Sequence, residues 1–226
     1  MAREDVWLSE QLGYTVVVLD DEDLAPRATA RSLVVAKVPV ADVARVGRLQ
    51  QSGFAVVDVN VTLTCEAAEA RPHAPVTDVV LVGPAEGEPV LEIAGSCFRY
   101  SRFHLDPAIP RPVADRVKRE WVRSYLEGRR GVELIAAVED GAPVGFLAVL
   151  GDSRTRVIDL IGVAESAQGR GVGSTLVSAF IERHAGSCAV LQVGTQIANI
   201  PSLRLYGSFG FAVSSAAYVL HRHDEP

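Results

Sequence analysis

The chain alternates short β-branched apolar runs with breaks of glycine, proline and acidic residues, and only a few stretches keep a helical period. Residues 14–19 form one such run, bounded by Gly13 and by the acidic cluster Asp20 to Asp23, and predict a strand. Residues 31–38 read the same way. Over residues 41–51, Val43, Val46 and Leu49 recur at helical spacing and Gly53 supplies a stop. Residues 54–64 predict a further strand, and residues 66–75, with Pro72 and Pro75, a linker. A domain boundary is therefore expected near Pro75, with a smaller N-terminal α/β subdomain over residues 1–75 and a second domain over residues 76–226.

The second part opens with a strand over residues 77–82 and a helix over 89–100, where Pro89 suits a first-turn position. A proline-rich loop, residues 101–112, leads into a helix ending near Gly128. Strands over 133–138 and 143–150 are joined by Glu139-Asp140-Gly141-Ala142, whose Asp-Gly pair predicts an antiparallel hairpin. A strand over 155–163, a helix over 172–184, a strand over 189–194 and a short helix over 199–207 follow, before a final strand pair, 211–213 and 216–221. Strands and helices interleave throughout, so the fold class is α/β or α+β around one mixed sheet.

Composition narrows the function classes. With 48% hydrophobic and 22% charged residues, the 226-residue chain has enough apolar surface for a core without disulfide or metal staples. The longest nearly apolar stretch, residues 144–151, is far short of the roughly 20 residues that cross a bilayer. Glu4, Asp5 and Glu10 stand where a secretory leader is basic, so a cytoplasmic protein with no membrane partner is expected. Cys65, Cys97 and Cys188 form no C-x-x-C pair and read as isolated thiols. His221 and His223 share a strand face but have no Cys or third His nearby in sequence; a solvated tail and no metal are expected.

A net charge of −6 argues against nucleic acid as a partner. Twenty of the 22 basic residues are arginine, and eight fall between Arg99 and Arg130. They read as a solvated helix face partnered by Glu120 and Glu127, with capture of an anionic small molecule as the alternative.

The stretch that carries chemistry lies between a strand and a helix: Gln168-Gly169-Arg170-Gly171-Val172-Gly173-Ser174. Its glycines let backbone amides approach an anion, and the following helix N-terminus adds unpaired N–H groups and a positive dipole end. It is neither the dinucleotide fingerprint, because residue 174 is serine, nor a P-loop, because no Gly-Lys-Ser/Thr is present.

Gln168-x-x-Gly171-x-Gly173 resembles the central motif of the GNAT superfamily of acyl-CoA-dependent N-acyltransferases. The later run, Asn199 with Tyr206 seven residues on and then Gly210-Phe211, is similar to that superfamily's closing segment. The resemblance spans residues 77–221 and implies a mixed, mostly antiparallel sheet flanked by helices. It implies acetyl-CoA as co-substrate, held by Gln168, Gly169, Arg170, Gly171, Val172, Gly173 and Ser174 at its pyrophosphate. Ile161 with Gly162 and Val163, near which such strands carry a bulge, would hold the pantetheine with Asn199, Ser202 and Tyr206.

An amine attacking a thioester needs a polarised carbonyl and a stabilised leaving thiolate, and Tyr206 is the expected acid for the latter. Asp159 alternates with Val157 and Ile161 and is the expected general base or acceptor-binding carboxylate. The N-terminal Trp7-Leu8-Ser9-Glu10-Gln11-Leu12-Gly13-Tyr14 and Ser101-Arg102-Phe103 resemble the dTDP-fucosamine acetyltransferase group. That implies a nucleotide-linked amino-deoxy sugar as acceptor, with Arg102 and His104 contacting it. The alternatives are another amine, such as a protein N-terminus, lysine, an antibiotic or a small metabolite, and a non-catalytic acyl-CoA-binding module. Edge strands in the final pair offer a surface for a homodimer.

Overall fold

The computed structural model describes residues 2–19 and 29–225; the acidic cluster Asp20 to Asp23 lies outside them. Strand β1 (Ala2–Glu4) and the two-turn helix α1 (Val6–Leu12) open the chain. Asp5 caps α1 by accepting a bond from the Leu8 amide at 3.0 Å, and Gly13 closes it in the left-handed region. Strands β2 (Thr15–Leu19) and β3 (Ser32–Pro39), helix α2 (Val43–Gln51) and strand β4 (Ala55–Glu66) complete the N-terminal part. Then come β5 (Asp78–Leu81), α3 (Glu88–Ala94), the one-turn α4 (Arg102–Leu105) and α5 (Arg111–Leu126). The helix expected over 89–100 stops at Ala94, and the loop expected over 101–112 contains α4.

Strands β6 (Glu133–Glu139) and β7 (Ala142–Gly151) form the expected hairpin, with Asp140 and Gly141 at φ 49° and 78°, the two positive values its tight turn requires. Strand β8 (Thr155–Val163), helix α6 (Val172–His184), strand β9 (Val190–Gln196), helix α7 (Ile200–Ser208) and strand β10 (Ala212–Asp224) finish the chain.

The ten strands make one mixed sheet in the order β1-β2-β3-β10-β4-β9-β8-β7-β6-β5. Among the described residues only β2–β3 and β8–β9 run parallel. The final strand pair expected from sequence is instead the single strand β10: the polar Ser214-Ser215 interruption is absorbed as a register shift against Leu63 and Thr62, and pairing continues. β10 lies between β3 and β4, with β3 alongside it only from Ala217 onward; the sheet edges are β1 and β5. The boundary expected near Pro75 falls in the connection from β4 to β5, and strands from both sides of it interleave.

Alternation along the strands gives the sheet two apolar faces. On one, α6 and α7 pack through Leu176, Phe180 and Tyr206 on Ile135, Leu147 and Val193, while α2 packs through Leu49 on Val34 and Ala36. On the other, α3 and α5 cover Leu134, Phe146 and Leu160, and α1, α4 and the start of α5 cover Leu33, Val35 and Val219. No helix among the described residues is long and apolar enough to cross a membrane.

Candidate active site

The parallel β8–β9 ladder is short. It pairs Thr155–Ile158 with Val190–Val193 and then ends. At that point the β7–β8 register also shifts: Ala148 faces Leu160 and Val149 faces Ile158, which leaves Asp159 as the extra residue of a bulge. A bulge bends its strand. Beyond it, β8 residues 159–163 and β9 residues 194–196 diverge, and a cleft of about 640 Å³ opens between them. The bulge thus lies at Asp159, not at Gly162 and Val163. It also breaks the expected alternation: Ile161 packs with the α6 face, whereas Leu160 and Asp159 both turn toward α5.

At the α6 end the cleft is lined by Gln168, Gly169, Gly171, Val172, Gly173 and Ser174. Gly169 and Gly171 sit at φ 75° and 87°, and no side chain caps the helix that follows. The first amides of α6 are therefore free to bind an anion. A Cβ on Gly171 would approach Val76 to 3.3 Å in addition to its backbone strain. Gln168 Nε2 donates to Val163 O at 3.1 Å and ties the loop back to β8. Arg170 turns away, pairing with Glu139 at 2.7 Å, and does not line the cleft. Sequence reading missed His73, which stacks on Phe209 and meets Ser174 Oγ at 3.2 Å.

Along the cleft, Ile161, Gly162 and Val163 form one wall; Asn199, Ser202 and Tyr206 line the other with Gly194, Thr195 and Gln196. Asn199 caps α7, accepting from the Ser202 amide at 3.3 Å. The Tyr206 ring is buried, and its hydroxyl has no hydrogen-bond partner among the described residues. Burial holds the phenol well above the ordinary tyrosine range, so it stays protonated.

The cleft continues through the gap in the sheet to the α5 side, where Cys97, Phe98, Tyr100, Ser101, Lys118 and Asp159 line it. Asp159 Oδ2 accepts from Trp121 Nε1 at 2.8 Å, Tyr125 OH at 2.7 Å and Arg130 Nε at 2.9 Å, while Oδ1 accepts from Arg130 Nη2 at 3.2 Å. A carboxylate so committed is poorly placed to take a proton as the expected base. Burial pushes the Cys97 thiol up to about 12, which leaves it a poor nucleophile. Lys118 and the Asp159 donors Trp121 and Tyr125 were missed; their signal was a lysine on an otherwise apolar stripe of α5.

Of the three expected acceptor contacts, Asp159 lines the cleft, and Arg102 and His104 lie outside its lining. His104 is buried, its Nδ1 accepting from Ser101 Oγ at 2.6 Å and its Nε2 donating to Asp115 at 2.9 Å. Both ring nitrogens are in use, and burial lowers its pKa, so it stays neutral. Arg102 packs its guanidinium 4.8 Å over Phe103, near the buried Asp58 of β4. Burial pushes that carboxyl up to about 6.

His221 and His223 are no solvated tail. Both donate to Asp106 Oδ2, at 2.6 and 2.8 Å, and strap the segment after α4 onto β10. Those separations are hydrogen-bond lengths, shorter than the roughly 3.3 Å between neighbouring ligands of a tetrahedral zinc. Most of the arginines expected on a solvated face find carboxylates: Arg123 with Glu120, Arg129 with Glu127, Arg119 with Glu88 and Arg99 with Glu165.

A glycine-rich anion cradle at a helix N-terminus, a splayed parallel strand pair beside it and a buried phenol between the two arms define an acyltransferase type of cleft. The chain belongs to the acetyltransferase (GNAT) family, whose model matches residues 89–211. It is 29% identical over 204 residues to the dTDP-fucosamine acetyltransferase of Escherichia coli, covering 88% of this chain and 86% of that one. It is 30% identical over 139 residues to the spore coat polysaccharide biosynthesis protein SpsD of Bacillus subtilis, over 61% of this chain. The chain spans about half of SpsD, 48% of its length. Among solved structures, a functionally unknown conserved protein from Staphylococcus epidermidis matches at TM-score 0.65 and 19% identity, covering 85% of this chain and 73% of that one. A GCN5-related N-acetyltransferase from Sphaerobacter thermophilus matches at TM-score 0.62 and 17% identity, over 89% and 62%. These two likenesses concern the fold.

Proposed function

We propose that this protein transfers the acetyl group of acetyl-CoA to the primary amine of a nucleotide-linked amino-deoxy sugar by direct attack. The observation that carries the transfer is a single cleft crossing the sheet, with free helix amides at one end and the unpaired Tyr206 hydroxyl between its walls. The amides of Gly169 to Ser174 take the pyrophosphate of the co-substrate. The β8 edge at Ile161 to Val163, with Asn199 and Ser202 opposite, holds the pantetheine arm and places the thioester at the gap.

The acceptor enters from the α5 side and its nitrogen attacks the thioester carbon. As the tetrahedral intermediate collapses, the C–S bond breaks and Tyr206, kept protonated by burial, gives its proton to the leaving sulfur, while the nitrogen gives up a proton to water and the phenolate regains one from solvent. The protonated Cys97 thiol argues for direct transfer over an acyl-cysteine intermediate. Asp159 acts as a positioning residue, fixing Trp121, Tyr125 and Arg130 around the acceptor end. The likeness to an enzyme named for dTDP-fucosamine, over 86% of that chain, supports the sugar acceptor.

The test is product mass analysis after incubating the protein with acetyl-CoA and an amine panel headed by dTDP-4-amino-4,6-dideoxygalactose. An acetylated nucleotide sugar is expected. Acetylation of other amines alone keeps the transfer and discards the sugar; binding of acetyl-CoA with no product from any amine points to a regulatory module.

A further inference from the structure

The acceptor end of the cleft holds a charge that the protein leaves unmatched. Lys118, one of only two lysines in the chain, lies on the stripe of α5 that also carries Trp121, Val122 and Tyr125. It is 7% exposed and lines the cleft. Its Nζ sits 4.8 Å from the ring centroid of Trp121, 5.0 Å from Phe98 and 5.9 Å from Phe103. No carboxylate, carbonyl or hydroxyl accepts from it among the described residues. Asp159, the carboxylate lining the same cleft, is already committed to Trp121, Tyr125 and Arg130.

Three aromatic faces offset part of the cost of burying the ammonium, but its three donors still lack acceptors. Arg102 adds to the positive field there, while Asp159 offsets the charge of its partner Arg130. Around a buried ammonium such a field disfavours cationic ligands and favours anionic ones, although the whole chain carries −6. It also favours the neutral, nucleophilic form of an acceptor amine.

We infer that Lys118 sets the acceptor specificity: its ammonium receives an oxyanion carried by the acceptor, phosphate or carboxylate, and so selects amines bearing a negative group over neutral and cationic ones. This rests on the transfer reaction proposed above. It does not rest on the nucleotide sugar as the acceptor.

The experiment compares wild type with Lys118→Met and Lys118→Arg on matched amines. The pairs are dTDP-4-amino-4,6-dideoxygalactose against the free sugar, glucosamine 6-phosphate against glucosamine, and 2-amino-2-deoxyglucuronate against glucosamine. Wild type is expected to favour at least one anionic member by about tenfold or more in kcat/KM, and Lys118→Met to lose that preference through acceptor KM. The KM for acetyl-CoA stays unchanged, and Lys118→Arg keeps part of the preference. Preference for a phosphate or carboxylate pair without turnover of the nucleotide sugar rejects that acceptor while upholding the role of Lys118.

If no amine is turned over, calorimetry of dTDP, phosphate and acetate on the acetyl-CoA-saturated protein decides. Binding about tenfold weaker in Lys118→Met upholds the inference, and equal or absent binding in both overturns it. No anionic preference in wild type, or an unchanged preference in Lys118→Met, overturns it as well. Melting of Lys118→Met at or above the wild-type temperature is the expected control, since it removes a buried ammonium without a partner.

Discussion

Two charges at the acceptor end of the cleft are handled in opposite ways. Asp159 is enclosed by three donors, so Asp159→Ala strips acceptors from Trp121, Tyr125 and Arg130 at once. Because Arg130 is partly solvated, a loss of about 2–3 kcal/mol in urea unfolding is expected, less than for a fully buried pair; an unchanged midpoint would remove its positioning role. Lys118 is pushed down to about 8, first by burial and then by Arg102 and Arg130, against the pull of Asp159. Its ammonium is therefore charged below that pH and lost above it. The KM of an anionic acceptor is expected to rise about tenfold between pH 7 and pH 9 while that of acetyl-CoA stays flat, and a flat acceptor profile counts against the assignment. The resemblance pointed to Tyr206 and Asn199, which line the cleft, but the sequence hid the fate of Asp159: strict alternation assigned it to the face of Ile161, and a bulge turned it toward α5.

The glycine-rich turn feeding α6 was legible because its requirements are local. Free amides and positive φ at Gly169 and Gly171 follow from the residues themselves. Gly171→Ala places a Cβ against Val76 at a φ of 87°, so the turn must reshape. An acetyl-CoA KM about tenfold higher, with kcat nearly kept, is expected from steady-state kinetics, since the anion cradle serves binding more than chemistry. A lower kcat at unchanged KM would assign the turn another role. Other elements hid for physical reasons. Helix α1 has seven residues, too few to display a period, and owes its place to packing of Leu8 and Leu12 on Val16 and Leu33. The serines of β10 read as a break because a bulge is invisible in a hydrophobic pattern.

At the scale of the molecule, local pattern yields strands but not their order. β4 lies between β9 and β10, so the N-terminal part supplies the neighbour of the strand that forms one wall of the cleft. Residues 76–226 expressed alone are expected to lack cooperative thermal unfolding, because Leu63 and Val61 leave the core under α6 and both β9 and β10 lose a partner. A sharp transition in that fragment would make the N-terminal part an accessory. The central claim, acyl transfer with Tyr206 protonating the departing sulfur, is tested most directly by free thiol release from acetyl-CoA at saturating amine, wild type against Tyr206→Phe. Acceptor-dependent release slowed about 100-fold or more in the variant, with acetyl-CoA bound equally well by both, is the expected result. Equal rates in the two proteins would contradict it.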